Sequence, residues 1–182
     1  SLIILLATTA GAVTVKWASL TNPSDKDEWP LGICIGGDYI YVVGYDSSTG
    51  DSQWRIEMYN KADGKLVKIW TKNPTTYNGV LSDCVVVGSR LYVVQSAGSR
   101  WTLLSFDLDL NLVKQVSLSG EPSSVISDGQ YLYIAGTEYV GGNDARWRVE
   151  KRRLDDLSLV AVYTSNPSDG TGGAWGIGIN PA

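Results

Sequence analysis

Apolar and polar side chains alternate along much of this chain. The clearest runs are Trp54-Arg55-Ile56-Glu57-Met58 and Trp147-Arg148-Val149-Glu150-Lys151. A period of two predicts strands, because successive side chains on a strand point to opposite faces. Gly, Asp and Asn sit at the reversals between runs, which predicts antiparallel hairpins. No window carries a convincing helical period. The pattern therefore predicts an all-β protein.

The runs also repeat. Gly36-Gly37-Asp38-Tyr39-Ile40-Tyr41-Val42-Val43-Gly44 returns as Val87-Gly88-Ser89-Arg90-Leu91-Tyr92-Val93-Val94. A third copy reads Asp128-Gly129-Gln130-Tyr131-Leu132-Tyr133-Ile134-Ala135-Gly136. Tyr41, Tyr92 and Tyr133 are the anchors, spaced by 51 and 41 residues. Each copy continues through a polar loop to a Trp that opens a new strand, at Trp54, Trp101 and Trp147. An Asp turn follows, at Asp63, Asp109 and Asp156, then a last strand opening on Leu66, Leu112 or Leu159. Asp is expected at such turns for its bonds to the local backbone.

With each unit labelled a-b-c-d, the chain reads as a partial unit (1–21), full units 22–70, 71–119 and 120–165, and a partial unit (166–182). The first part supplies strands c and d: Val15-Lys16-Trp17 aligns with Val67-Lys68-Ile69, and Leu2 falls opposite Trp54. The last part supplies strand a, since Trp175-Gly176-Ile177 follows Leu31-Gly32-Ile33 at an offset of 144 residues. Four-stranded units of about 40–50 residues predict the blades of a small β-propeller, here of about four. The run from Gly36 to Gly44, then Met58-Tyr59-Asn60 before a turn, is similar to a kelch-type blade. That resemblance implies a propeller fold with mostly binding or scaffolding roles.

The fourth unit has no strand b. Either the N-terminal pair and the C-terminal strand close one ring, or the N-terminal strand completes a neighbouring subunit, or the chain is part of a longer propeller. Residues 1–13 favour the second reading. Leu2, Ile3, Ile4, Leu5 and Leu6 are apolar on both sides of a strand, where Trp54-Arg55-Ile56-Glu57 alternates. Burying each large aliphatic side chain is worth roughly 1.5–3 kcal/mol. A strand apolar on both faces suits insertion into a partner. These five residues are the candidate assembly site, and the expected partner is a further copy of the chain, in a filament or array.

Composition narrows the chemistry. The net charge is −4 and the pI about 4.8, which speaks against nucleic acid as a partner. There is no His, so the usual general base and His-based metal sites are missing. A non-enzymatic role is expected. The apolar run from Leu2 to Val13 is too short to span a bilayer as a helix, and it has the length of a signal-peptide core. An exported, extracellular or surface protein is expected.

Trp54, Trp101 and Trp147 recur at one position, which blade packing explains. Trp29 and Trp175 break that rule and are the candidate ligand surface, for glycan or protein. Asp25, Asp27 and Glu28 are either a solvated loop or a calcium site, without the spacing of a known calcium loop. No cofactor is otherwise expected. Arg146, Arg148, Lys151, Arg152 and Arg153 make an outer strand of the third unit basic, either steering head-to-tail contacts or guarding an edge. Cys34 aligns one residue beyond Ile33, whereas Cys84 aligns with Ile33 itself. The two therefore point to opposite faces of equivalent strands, and two free thiols are expected.

Overall fold

A computed structural model describes residues 2–9, 12–21, 25–73, 79–96, 101–141, 144–165 and 172–180, with side chains from Lys16 onward. Its strands are β1 (Leu2–Thr9), β2 (Ala12–Leu20), β3 (Glu28–Gly36), β4 (Tyr39–Asp46), β5 (Gln53–Asn60), β6 (Leu66–Lys72), β7 (Val80–Val87), β8 (Arg90–Ser96), β9 (Trp101–Asp107), β10 (Leu112–Leu118), β11 (Glu121–Ser127), β12 (Tyr131–Gly141), β13 (Asp144–Arg153) and β14 (Leu159–Ser165). Three antiparallel four-stranded sheets follow chain order: β3 to β6, β7 to β10 and β11 to β14, here sheets I, II and III. β1 and β2 form a separate two-stranded sheet.

The first strands pack at the centre, β3 against β7 and β7 against β11. The last strands lie outermost, exposing Leu66, Val67, Leu112, Val113, Leu159 and Val160. Between sheets I and II, Tyr41, Val43, Ile56 and Met58 meet Leu81, Leu104, Phe106 and Leu110. Between sheets II and III, Tyr92, Val94 and Leu103 meet Val125, Leu132, Ile134 and Leu157. Sheet II is thus covered on both faces. That is why Leu91, Tyr92, Val93 and Val94 are all buried without alternation.

Each turn between the third and fourth strand of a sheet has one residue in the left-handed region: Gly64, Leu110 and Leu157. A leucine there costs about 1–2 kcal/mol of backbone strain. Leu110 and Leu157 are fully buried between sheets, and burial at roughly 1.5–3 kcal/mol offsets that strain. In sheet I the position is glycine. A Cβ at Gly64 would lie 2.4 Å from the indole of Trp17, so the β1–β2 sheet fills the place a leucine takes elsewhere.

Cys34 and Cys84 form a disulfide, with Cα atoms 5.8 Å apart, contrary to the expected free thiols. The alignment behind that expectation holds: Cys34 pairs with Tyr41, whereas Cys84 pairs with Val93, one step beyond Tyr92. The two do occupy opposite faces of equivalent strands. Stacked sheets, however, set the forward face of one against the rear face of the next. Opposite faces of neighbouring sheets meet, so the two sulfurs converge. Val85 and Val125 hold the corresponding places between sheets II and III.

The C-terminal segment differs too. Residues 172–180, expected to include a first strand from Trp175 to Ile179, have no regular secondary structure. A strand needs a ladder partner, and among the described residues none pairs with this segment.

Candidate functional site

The candidate site is built from the contacts by which one sheet couples to the next. In each full unit, the second strand carries a tyrosine on its forward face. Tyr41 Oη donates 2.8 Å to the carbonyl of Leu108, the first residue after β9 in sheet II. Tyr92 Oη donates 2.8 Å to the carbonyl of Leu154, the first residue after β13 in sheet III. The same geometry therefore latches sheets I to II and II to III. Burial pushes the Tyr41 phenol up to about 12, with nearby Tyr39, Asp109 and Asp107 adding to it.

The matching carbonyl of sheet I belongs to Lys61, the first residue after β5. Its donor is Trp17 Nε1 at 3.1 Å. Trp17 packs on Tyr59, Ile40 and Val42, and Thr21 at the end of β2 hydrogen-bonds to Glu57 at 3.2 Å. Tyr59 is the counterpart of Phe106, against which Trp70 packs edge-on at 4.9 Å. Trp17 thus stands where Trp70 stands, at an offset of 53 residues, one more than the alignment with Ile69 implied. It also takes over the bond that a tyrosine makes elsewhere; among the described residues the β1–β2 sheet holds only the counterparts of the third and fourth strands of a full sheet.

The forward face of sheet III keeps the tyrosine and the tryptophan of sheet I and has no following sheet among the described residues. Tyr133 is the third latch tyrosine, and its Oη donates 2.8 Å to Asp128 within its own sheet. Trp147 is 45% exposed, where its counterpart Trp54 is 5% exposed. Tyr163, at the place of Trp70, is 61% exposed. Lys151 stands where sheet I has Met58, and its ammonium lies 3.8 Å above the Tyr131 ring and 5.5 Å from that of Tyr133. Among the described residues, this aromatic face thus carries a lysine over its tyrosines and, at Trp147, the C-terminal segment at Gly172, with no further sheet against it.

The basic run of sheet III is not an outer strand. β13 lies between β12 and β14. Arg148 and Arg152 are buried and paired with Glu150 at 2.8 and 2.6 Å, and Arg148 also reaches Glu138 at 3.1 Å. Alternation puts these groups on the rear face, toward sheet II, where charge must be paired to be buried. Sheet I repeats the motif, with Arg55 held by Glu57 at 2.8 Å and by Asp46 at 3.2 Å.

Of the assembly residues, Leu2, Ile3, Ile4, Leu5 and Leu6 lie in β1, paired from Leu2↔Leu20 to Leu6↔Val15 with β2 of the same chain. Their side chains lie outside the described residues. The other edge of β1 has no partner strand among the described residues. Trp29 is exposed in β3 and Trp175 is exposed in the C-terminal segment; they border different recesses, so the structure does not bring them into one site. Among the described residues, no group of three His, Cys, Asp or Glu side chains is placed to hold a metal ion, and Asp25, Asp27 and Glu28 do not converge. No helix among them is long and apolar enough to cross a membrane.

The chain is similar in structure to a europium-containing methanol dehydrogenase, with a TM-score of 0.63 and 13% identity over 89% of this chain and 38% of that one. It is also similar to BamB from Moraxella catarrhalis, with a TM-score of 0.53 and 12% identity over 90% of this chain and 50% of that one. The fold is a β-propeller. A Bacteroides caccae protein of unknown function matches with a TM-score of 0.53 and 15% identity over 83% of this chain and 50% of that one. The chain thus spans from 38% to 50% of the length of these structures. No family model and no curated protein matches it. At these identities the likeness concerns fold alone, and it is not specific to kelch-type propellers.

Proposed function

We propose that the protein is a non-enzymatic structural component that joins head to tail with further copies of itself, in a filament or surface array. The open forward face of sheet III in one copy meets the β1–β2 end of the next. The observation that carries this reading is Tyr133. It holds the latch position of Tyr41 and Tyr92, yet its hydroxyl is turned to Asp128 of its own sheet. Around it, Trp147 and Tyr163 present aromatic area of the kind that Trp54 and Trp70 bury in sheet I.

Two further observations support the reading. Among the described residues no strand pairs with the outer edge of β1, where a strand could be added, and the apolar run Leu2 to Leu6 lies in β1. The disulfide fits an exported setting, where such bonds persist. Electron microscopy of the purified protein tests the proposal, with a variant lacking residues 1–10 beside it. We expect polymers from the intact chain and folded monomers from the shortened one. Polymers that survive the deletion, or an intact chain that shows none, would remove the strand-addition reading.

A further inference from the structure

We propose that the cleft at the mouth of the three central strands binds a neutral carbohydrate. Each central strand has a register shift at the same place: Pro30/Gly32 in β3, Leu81/Asp83 in β7 and Pro122/Ser124 in β11. The extra residues are Leu31, Ser82 and Ser123. A bulge re-aims a side chain that would otherwise follow the pleat. All three border one cleft of about 590 Å³, and so does Trp175. Trp175 is the counterpart of Leu31 at the 144-residue offset, so one repeat position supplies four walls of the site. The volume is in the range of small-molecule sites, roughly 300–1,000 Å³.

The backbone that carries Trp175 and the ring of Tyr139 are each tied to the sheets. Gly172 N donates 3.3 Å to the carbonyl of Ala145, which ties the C-terminal segment to β13. A Cβ at Gly173 would lie 2.6 Å from Thr137 Oγ1, so a larger residue there would have to turn the threonine aside for the segment to run this close to β12. Trp175 follows two residues on and is 85% exposed. Across the cleft, the Tyr139 ring stacks on Trp101 with centroids 6.1 Å apart and planes inclined by 25°. Tyr139 Oη donates 3.0 Å to Glu121, which also accepts from Ser96 Oγ at 2.7 Å. Ring stacking from one side and a carboxylate at the tip hold the tyrosine before any ligand arrives.

The lining selects the ligand class. Glu121 is its one charged side chain among the described residues, so nothing there attracts an anion. Its oxygens already accept two hydroxyls and keep lone pairs for further donors. Ser82, Ser123 and Thr137 add short hydroxyls. A pyranose matches this set: its C–H faces lie on the rings of Trp175 and Tyr139, and its hydroxyls bond to the carboxylate and the side-chain hydroxyls. The segment that carries Trp175 also touches the forward face of sheet III, since a Cβ at Gly172 would lie 3.5 Å from Trp147 Nε1, so Tyr133, which does not line the cleft, is the residue that separates glycan binding from assembly.

Isothermal titration of the intact protein with four neutral tetrasaccharides, from β-1,4-glucan, β-1,3-glucan, xylan and mannan, tests the proposal. We expect at least one to bind. Trp175→Ala should weaken it roughly tenfold or more, because a stacking face is lost. Glu121→Gln should weaken it several-fold through its hydrogen bonds. Tyr133→Ala, on the coupling face, should leave glycan affinity unchanged even where it alters assembly. No binding to any of the four overturns the proposal, as does binding that Trp175→Ala leaves intact. A preference for choline over all four would show the site to be a cation cage and overturn it too.

Discussion

Sheets I and III present the same forward face to different surroundings. In sheet I, Tyr41 and Trp54 are buried, and Trp70 packs on Phe106 of the next sheet. In sheet III, Trp147 and Tyr163 are exposed at the matching positions, and Tyr133 bonds within its own sheet. The strand pattern and most side-chain types agree. What differs is the occupant. The repeat therefore encodes which face of a sheet couples forward, whether or not another sheet stands there. One substitution registers the difference: buried Met58 in sheet I gives way to Lys151 over two tyrosines in sheet III.

The sharpest way to break this comparison is to truncate the same tryptophan in both sheets. Trp54→Ala should cost about 3–5 kcal/mol of stability, as large-to-small changes in a packed interior do. Trp147→Ala, at a side chain about half exposed, should cost about 1 kcal/mol, well below the loss at Trp54. Equal losses in chemical denaturation would mean that the two faces are equally covered. Next comes the disulfide. It closes a loop across a sequence separation of 50 residues, and on the chain-entropy view Cys34→Ala with Cys84→Ala should cost about 4 kcal/mol. Urea unfolding with and without reductant should show the same gap, because the bond ties sheet I to sheet II at the centre.

The latch gives a smaller effect. Tyr41→Phe and Tyr92→Phe should each lose about 0.5–1.5 kcal/mol, the net worth of a hydrogen bond. Tyr133→Phe should lose less, since its partner Asp128 is exposed and returns to water. One latch tyrosine, Tyr41, and the buried Tyr59 also give a pH signature. The Tyr41 and Tyr59 phenols, raised mainly by burial to about 12 against an ordinary value of 10.0, hold their protons longer in the folded state. The unfolded chain loses them first. Stability should therefore be level below pH 10 and fall between pH 10 and about 12. Alkaline denaturation followed by circular dichroism reads this directly, and Tyr41→Phe should make the fall shallower.

The repeat unit and its four strands were legible because alternation and turn residues recur at fixed places around Tyr41, Tyr92 and Tyr133. Relations between sheets were harder to read. Cys34 and Cys84 were assigned to the right faces, but only the stacking of one sheet on the next turns opposite faces into a meeting point. The likeness of Val15-Lys16 to Val67-Lys68 aligned Trp17 with Ile69, whereas its packing on Tyr59 matches it to Trp70. The charges of β13 were visible, and the period of two already sets Arg148, Glu150 and Arg152 on one face, but the further pairing of Arg148 with Glu138 depends on a cross-strand neighbour that no linear pattern displays. The bulges at Leu31, Ser82 and Ser123 carry no residue type common to all three, and a bulge leaves no mark in the alternation, so the cleft they border had no signal beyond Trp175.

The central claim is that sheet III ends in a coupling face of the same kind as those buried inside the molecule. Light scattering on the disulfide-bonded protein over a range of concentrations tests it most directly, with Tyr133→Ala, Trp147→Ala and Tyr163→Ala combined in a second sample. The account predicts that mass rises with concentration for the natural chain and stays at one 19.7 kDa chain for the triple variant, with both folded by circular dichroism. A natural chain that remains monomeric throughout, or a triple variant that associates equally well, would contradict it.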